Sequence, residues 1–123
     1  MKHSAGFLKL VDDAKSRVRE ISVADTQKRL AADQKVQLID VREDTEWLAG
    51  HAAGAIHLGK GIIERDIETE VPDKATELIL YCGGGYRSAL VADVLQRMGY
   101  TNAWSMAGGW KAWKNSGAPV TAN

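Results

Sequence analysis

The most constraining feature of this chain is an apolar run that ends in a cysteine and three glycines. A strand buried on both faces is predicted by Leu78-Ile79-Leu80-Tyr81, and the segment from Cys82 to Arg87 follows it directly. Apolar residues at helical spacing then predict a helix: Leu90, Val91, Val94, Leu95 and Met98. A strand, a glycine loop and a helix in this order indicate an α/β domain with a parallel sheet.

The rest of the chain repeats this alternation of strands and helices. The predicted elements are a helix at 23–32 capped by Ser22, a strand at 36–41, a helical turn at 44–48, a brief strand at 55–58, a helical turn at 62–67, a strand at 102–106 and a last helix from Gly108 to Gly117. Helices that connect parallel strands cover both faces of the sheet. We therefore expect a three-layer α/β fold with a parallel central sheet.

An amphipathic helix is also predicted at the N-terminus. Its apolar residues recur at helical spacing: Phe7, Leu8, Val11, Ala14, Val18 and Ile21. This helix could pack on the domain or on a partner. We accordingly divide the chain into a helical extension at 1–20, a domain at 21–118 and a C-terminal tail at 119–123.

Charge and apolar patterning exclude several kinds of partner. Sixteen Lys and Arg balance sixteen Asp and Glu in a chain of 123 residues, so no broad basic field favours nucleic acid or an anionic membrane. Charged residues interrupt every apolar run in the first twenty positions, so we expect neither a signal peptide nor a membrane span. These features favour a cytoplasmic protein.

Cys82 is the single cysteine, which excludes an internal disulfide, a dithiol cycle and a multi-cysteine metal site. The start of the following helix directs backbone N–H groups towards Cys82, and Arg87 closes the loop, so we expect the thiolate to be favoured. A lone cysteine is often only a small apolar filler. Three successive glycines cost stability unless the backbone must approach something closely, and this favours a functional loop. We interpret His51 and His57 as hydrogen-bonding residues rather than metal ligands.

Four motifs together resemble the single-domain rhodanese, or thiosulfate sulfurtransferase-like, family. They are Leu38-Ile39-Asp40-Val41-Arg42, then Glu46 with Gly50-His51 and Gly54-Ala55-Ile56, then the loop from Cys82 to Arg87 with Ser88, and finally Gly108-Gly109-Trp110 with Trp113. The resemblance runs from about Ile21 to Ala118 and implies the three-layer rhodanese-like fold. Ala53 stands where the family often has proline, which affects a turn more than the chemistry.

The resemblance implies a sulfurtransferase without metal or organic cofactor. Cys82 would take a sulfane sulfur from thiosulfate or a persulfide, hold it as a persulfide, and pass it to a thiol or cyanide acceptor. The implied substrate-binding residues are Gly83, Gly84, Gly85, Tyr86, Arg87, Ser88 and Arg42, with Asp40 and Glu46 supporting the site. For Arg42 two roles stay open: it borders the site, or it forms an ion pair with Glu46 that shapes the loop. A sulfur-relay protein is a further expected partner.

Two other functions stay open at this stage. A phosphatase or arsenate reductase would use the same cysteine and arginine, but relatives with that activity have a longer loop than the four residues between Cys82 and Arg87. A sulfur carrier without turnover, or a binding module that docks through the N-terminal helix, would also retain Cys82. The loop interior has no cationic side chain, and this favours a persulfide over dianionic thiosulfate as donor.

Overall fold

Five parallel strands form the central sheet of the computed structural model, which describes residues 2–122. The strands in chain order are β1 (Arg19–Ile21), β2 (Gln37–Asp40), β3 (His51–Ala52), β4 (Ile56–His57), β5 (Leu78–Tyr81), β6 (Ala103–Met106) and β7 (Val120–Thr121). The order in the main sheet is β1-β6-β5-β2-β4, and β3 pairs with β7 in a separate antiparallel ribbon. The predicted parallel sheet is therefore confirmed.

Within residues 2–122, six helices connect and cover these strands. They are α1 (Ala5–Lys15), α2 (Val23–Ala32), α3 (Asp44–Ala49), α4 (Ile63–Glu70), α5 (Tyr86–Arg97) and α6 (Gly109–Asn115). Apolar residues of α4 and α5 form one core with the sheet, and those of α2 and α6 form a second core. Among the described residues the two cores share no buried member, as expected for the predicted three layers. No helix within residues 2–122 is long and apolar enough to cross a membrane.

The central position of β5 determines where the cysteine loop lies. β5 pairs with β2 on one side and with β6 on the other, and all four of its residues are buried. Asp40, the last residue of β2, pairs with Tyr81, the last residue of β5. The segments after these two strands, which start with Val41 and Cys82, therefore leave the sheet side by side at its carboxyl edge.

The N-terminal helix is shorter than its apolar spacing predicts. It ends at Lys15, and Arg19–Ile21 instead forms an edge strand whose Ile21 pairs with Met106. Prediction of the helix through Ile21 was wrong because pairing with β6 overrides local periodicity. The helix packs on α5 and buries Val11 and Ala14 almost completely.

Two short strands were not visible in the sequence pattern. His51–Ala52 and Val120–Thr121 pair in a two-residue ribbon, in which His51 lies opposite Thr121. Segments this short carry no alternation of apolar and polar residues by which a strand could be recognised. The ribbon places the backbone around Val120 against the segment that follows α3.

Candidate active site

Cys82 lies at the carboxyl end of β5, and its sulfur caps the start of α5. The Sγ atom accepts hydrogen bonds from the backbone N–H of Gly85 at 3.2 Å and of Ser88 at 3.4 Å. Ser88 is the third residue of α5, a position whose N–H has no partner inside the helix. The sulfur therefore takes the place of an N-cap side chain, where the helix dipole stabilises negative charge.

The start of α6 holds the cysteine loop from the other side. The Trp110 N–H donates to the Cys82 carbonyl oxygen at 2.7 Å, and the Lys111 N–H donates to the Gly83 carbonyl oxygen at 3.2 Å. A Cβ atom on Gly109 would lie 2.4 Å from the Cys82 carbonyl oxygen, so this approach requires glycine. The sequence predicted that a helix starts at this glycine pair, but not that the helix start contacts the cysteine loop. The Gly108-Gly109-Trp110 motif was the available signal for this contact.

These contacts leave backbone donors of the loop without protein partners. Within residues 2–122, the N–H groups of Gly83, Gly84, Tyr86 and Arg87 donate to no protein acceptor. The acceptors four residues before Tyr86 and Arg87 would be the carbonyls of Cys82 and Gly83, and these accept from α6 instead. The loop thus offers several free N–H groups in the turn that contains the sulfur.

Two serines lie behind the sulfur. The Ser88 Oγ lies 3.6 Å from the Cys82 Sγ and 2.8 Å from the Ser105 Oγ, and all three side chains are buried. Ser105 belongs to β6, the neighbour of β5 in the sheet. Sequence reasoning included Ser88 but missed Ser105, because a single serine within a strand gives no signal of its own.

Arg87 and Glu46 form an ion pair at the edge of the loop. The Arg87 Nη1 donates to one carboxylate oxygen of Glu46 at 2.8 Å, and its Nη2 donates to the other at 3.0 Å. The Arg87 guanidinium lowers the pKa of Glu46 to about 2, so the carboxylate is ionised near neutral pH. The positive charge at the end of the loop is therefore balanced by a fixed negative charge.

Arg42 forms a different pair from the one considered in the sequence. Its guanidinium donates to both carboxylate oxygens of Asp40, and its Nη2 also donates to the Gly50 carbonyl oxygen at 2.7 Å. Of the two roles left open for Arg42, the ion pair with Glu46 is therefore not formed within residues 2–122. Helical spacing does not apply to Arg42 and Glu46, because α3 begins only at Asp44, after Arg42.

A cavity of about 550 Å³ opens over the cysteine loop. Its lining residues come from the N-terminal segment with the first turn of α1, from Glu43 and α3, and from the cysteine loop with the start of α5: Lys2, His3, Ser4, Phe7, Glu43, Glu46, Cys82, Gly84, Tyr86 and Arg87. The rings of His3 and Tyr86 lie edge to face at 4.7 Å. The N-terminal segment thus forms one wall of the cavity, a role that its helical pattern alone did not indicate.

The two predicted hydrogen-bonding histidines lie outside this cavity. The His51 Nδ1 lies 3.1 Å from the Trp47 carbonyl oxygen, and the His57 Nε2 lies 2.8 Å from the Arg42 carbonyl oxygen. In the part of the chain that the structure describes, no group of three or more His, Cys, Asp or Glu residues is arranged to hold a metal ion.

Comparison with known proteins identifies the family of this chain. Residues 22–116 match the rhodanese-like domain family. A Bacillus subtilis protein provisionally named a sulfurtransferase is 35% identical over 102 residues, which cover 83% of this chain and 96% of that protein. The chain therefore belongs to the rhodanese-like family, and it is similar to proteins named as sulfurtransferases.

Solved structures of similar proteins carry two different functional names. The polysulfide-sulfur transferase homodimer of Wolinella succinogenes is 26% identical, with a TM-score of 0.83 over 97% of this chain and 89% of that one. A Rhodopseudomonas palustris protein of unknown function, described as a possible tyrosine phosphatase, is 26% identical, with a TM-score of 0.81 over 98% of both chains. The shared fold therefore does not by itself distinguish between these two chemistries.

Proposed function

We propose that this protein is a sulfurtransferase that carries sulfur as a persulfide on Cys82. The Cys82 thiolate attacks the outer sulfur of a donor, the sulfur–sulfur bond of the donor breaks, and the leaving group departs with the electron pair. The acceptor, a thiolate or cyanide, then attacks the outer sulfur of the persulfide and returns Cys82 to the thiolate. No oxidant or reductant is consumed, because each step exchanges one bond to sulfur for another.

The free N–H groups of the loop that contains Cys82 are the observation that carries this proposal. A persulfide is anionic at its outer sulfur, and preorganised backbone donors stabilise such charge without any reorganisation. Gly85 and Ser88 already donate to the inner sulfur, and Gly83, Gly84, Tyr86 and Arg87 have no protein acceptor within residues 2–122. We assign these four N–H groups to the outer sulfur.

The charged residues around the loop have separate proposed roles. Arg87 closes the loop towards the cavity, and Glu46 positions it through two hydrogen bonds. We assign Asp40 and Arg42 a supporting role, because both are buried and the Arg42 guanidinium holds the backbone at Gly50. Among the described residues, Arg42 does not line the cavity over Cys82 but an adjacent one, which it shares with Glu43 and Arg87.

A turnover assay separates this function from a carrier without turnover. The protein is mixed with excess persulfide or thiosulfate donor and with cyanide, and thiocyanate is measured against protein concentration. An enzyme forms many equivalents of thiocyanate per Cys82, and we expect this result. A yield that stops at one equivalent would identify a carrier and would overturn the proposed enzymatic activity.

Assay of an aryl phosphate with the same preparation tests the phosphatase alternative. Only four residues separate Cys82 from Arg87, and we expect this short loop to admit one outer sulfur but to hold a tetrahedral phosphate poorly. We therefore expect sulfur transfer without phosphate release. Phosphate release by the unaltered protein, together with no sulfur transfer from any donor, would contradict the assignment.

A further inference from the structure

The charges that line the cavity over Cys82 cancel one another. Among the described residues that line this cavity, Lys2 and Arg87 are cationic, and Glu43 and Glu46 are anionic. The guanidinium of Arg87 is engaged by both oxygens of Glu46, whereas Glu43 is exposed and forms no ion pair within residues 2–122. Arg87 is the cation nearest the loop, and its charge is therefore directly balanced by Glu46.

We infer that Glu46 determines the charge preference of this site, so that it favours singly charged organic persulfides over the thiosulfate dianion. The inference rests on the proposed role of Cys82 as the sulfur acceptor. Glu46 acts here through Arg87 and not by contact with the donor, so it is a positioning and selectivity residue.

The geometry of the Arg87–Glu46 pair explains why Glu46 continuously neutralises the charge of Arg87. Two parallel hydrogen bonds fix the carboxylate against the planar guanidinium, and the two side chains are only about one third exposed, at 35% and 30%. A donor that approaches Cys82 meets a nearly neutral pair and the partial charges of the backbone N–H groups. A second negative charge on the donor then gains little electrostatic stabilisation from the site, while that charge still loses its hydration when the donor binds.

The two donor classes react by the same balanced step. With an organic persulfide, the Cys82 thiolate takes the outer sulfur of R–S–S⁻ and releases the thiolate R–S⁻. With thiosulfate, it takes the sulfane sulfur and releases sulfite. The reactants carry one more negative charge in the second case, so the local charge at Arg87 decides between the donors.

Alkylation of Cys82 measures this charge preference without any sulfur chemistry. Iodoacetamide is neutral and iodoacetate is anionic, and both modify the single cysteine at a rate that mass spectrometry can follow. The ratio of the iodoacetate rate to the iodoacetamide rate is compared in the natural protein, in Glu46→Gln and in Glu43→Gln. The iodoacetamide rate also reports whether each variant keeps its loop accessible.

We expect Glu46→Gln to raise this ratio by on the order of tenfold at low salt, because it leaves the Arg87 charge unbalanced. Glu43→Gln removes the same formal charge from the same cavity and should raise the ratio much less. An unchanged ratio in Glu46→Gln, or an equal rise in both variants, would overturn the inference, since the second result would indicate only a diffuse field.

Donor competition then tests the inference on the proposed reaction. The rates of Cys82 persulfide formation from thiosulfate and from 2-hydroxyethyl persulfide are measured for the same three proteins. We expect the natural protein to prefer the organic persulfide, and Glu46→Gln to shift the preference towards thiosulfate. A natural protein that prefers thiosulfate would overturn the inference and leave the sulfurtransferase function intact. Absence of persulfide from either donor, with normal alkylation, would instead contradict the function.

Discussion

Two arginine–carboxylate pairs lie near the ends of neighbouring strands, and they differ in burial. Arg42 and Asp40 are 3% and 0% exposed, whereas Arg87 and Glu46 are 30% and 35% exposed. The buried pair lies at the end of β2 and holds the Gly50 carbonyl, and the partly exposed pair joins Arg87 of α5 to Glu46 of α3 and faces the cavity. The same chemical pair thus supports the fold in one place and shapes the proposed reaction site in the other.

This difference in burial predicts opposite consequences of mutation. Removing one partner of a buried pair leaves an uncompensated charge in the interior, whereas an exposed pair contributes little to stability. Substitutions at Arg42 should therefore act on the free energy of unfolding. Substitutions at Arg87 should act on the rate of sulfur transfer.

Arg42→Ala has the largest expected effect, a loss of about 3 to 5 kcal/mol in the free energy of unfolding, because Asp40 would stay buried without a partner. Chemical denaturation of the variant and the natural protein measures this loss. The double variant Asp40→Asn/Arg42→Met should recover part of the stability, because it removes both charges. A loss below about 1 kcal/mol in the single variant would show that the pair behaves as an exposed one.

Gly109→Ala should have the next largest effect, because it displaces the cysteine loop. A Cβ atom there would lie 2.4 Å from the Cys82 carbonyl oxygen, so α6 and the loop must separate. A displacement of about 1 Å in the N–H groups lowers the rate of sulfur transfer by on the order of a hundredfold. Gly117→Ala is the matched control, because Gly117 also has a positive φ of 79°, but a Cβ atom there would have no atom of the described part of the chain within 4 Å. Equal loss of rate in both variants would exclude the close approach as the cause.

Arg87→Ala should slow persulfide formation by on the order of tenfold and should change stability by less than about 1 kcal/mol. The rate falls because Glu46 becomes an unbalanced carboxylate beside the loop. Arg87→Lys should recover only part of the rate, since lysine lacks the planar fork. Stopped-flow measurement of persulfide formation checks these rates, and full activity in Arg87→Ala would contradict the proposed role.

The smallest expected effect is on the pH dependence of stability. The pKa of Glu46 lies at about 2 in the folded protein, below its ordinary value of 4.5, because Arg87 hydrogen-bonds the carboxylate. The pair therefore stabilises the fold fully above pH 4.5, and this contribution is lost as the pH falls towards 2. Glu46→Gln should flatten this part of the stability profile, as measured by denaturation midpoints. An identical profile in both proteins would show that the pair does not contribute.

The sequence predicted the parts of this structure that depend on local pattern. Continuous apolar runs located β2 and β5, and the glycines after Cys82 located the loop and the start of α5. The partner of Arg42 could not be predicted, since it depends on which carboxylate is buried beside it. The hydrogen bond from the Trp110 N–H to the Cys82 carbonyl oxygen could not be predicted either, because it joins segments that the sheet alone brings together.

Intact-mass spectrometry after incubation with a sulfur donor tests the central claim most directly. The protein has one cysteine, so a gain of one sulfur atom identifies both the residue and the chemistry. We predict that the natural protein gains one sulfur atom and loses it when a thiol or cyanide acceptor is added. Cys82→Ser should stay at its original mass, because the serine hydroxyl is scarcely ionised near neutral pH. An equal gain by Cys82→Ser, or no gain by the natural protein from any donor, would contradict the account.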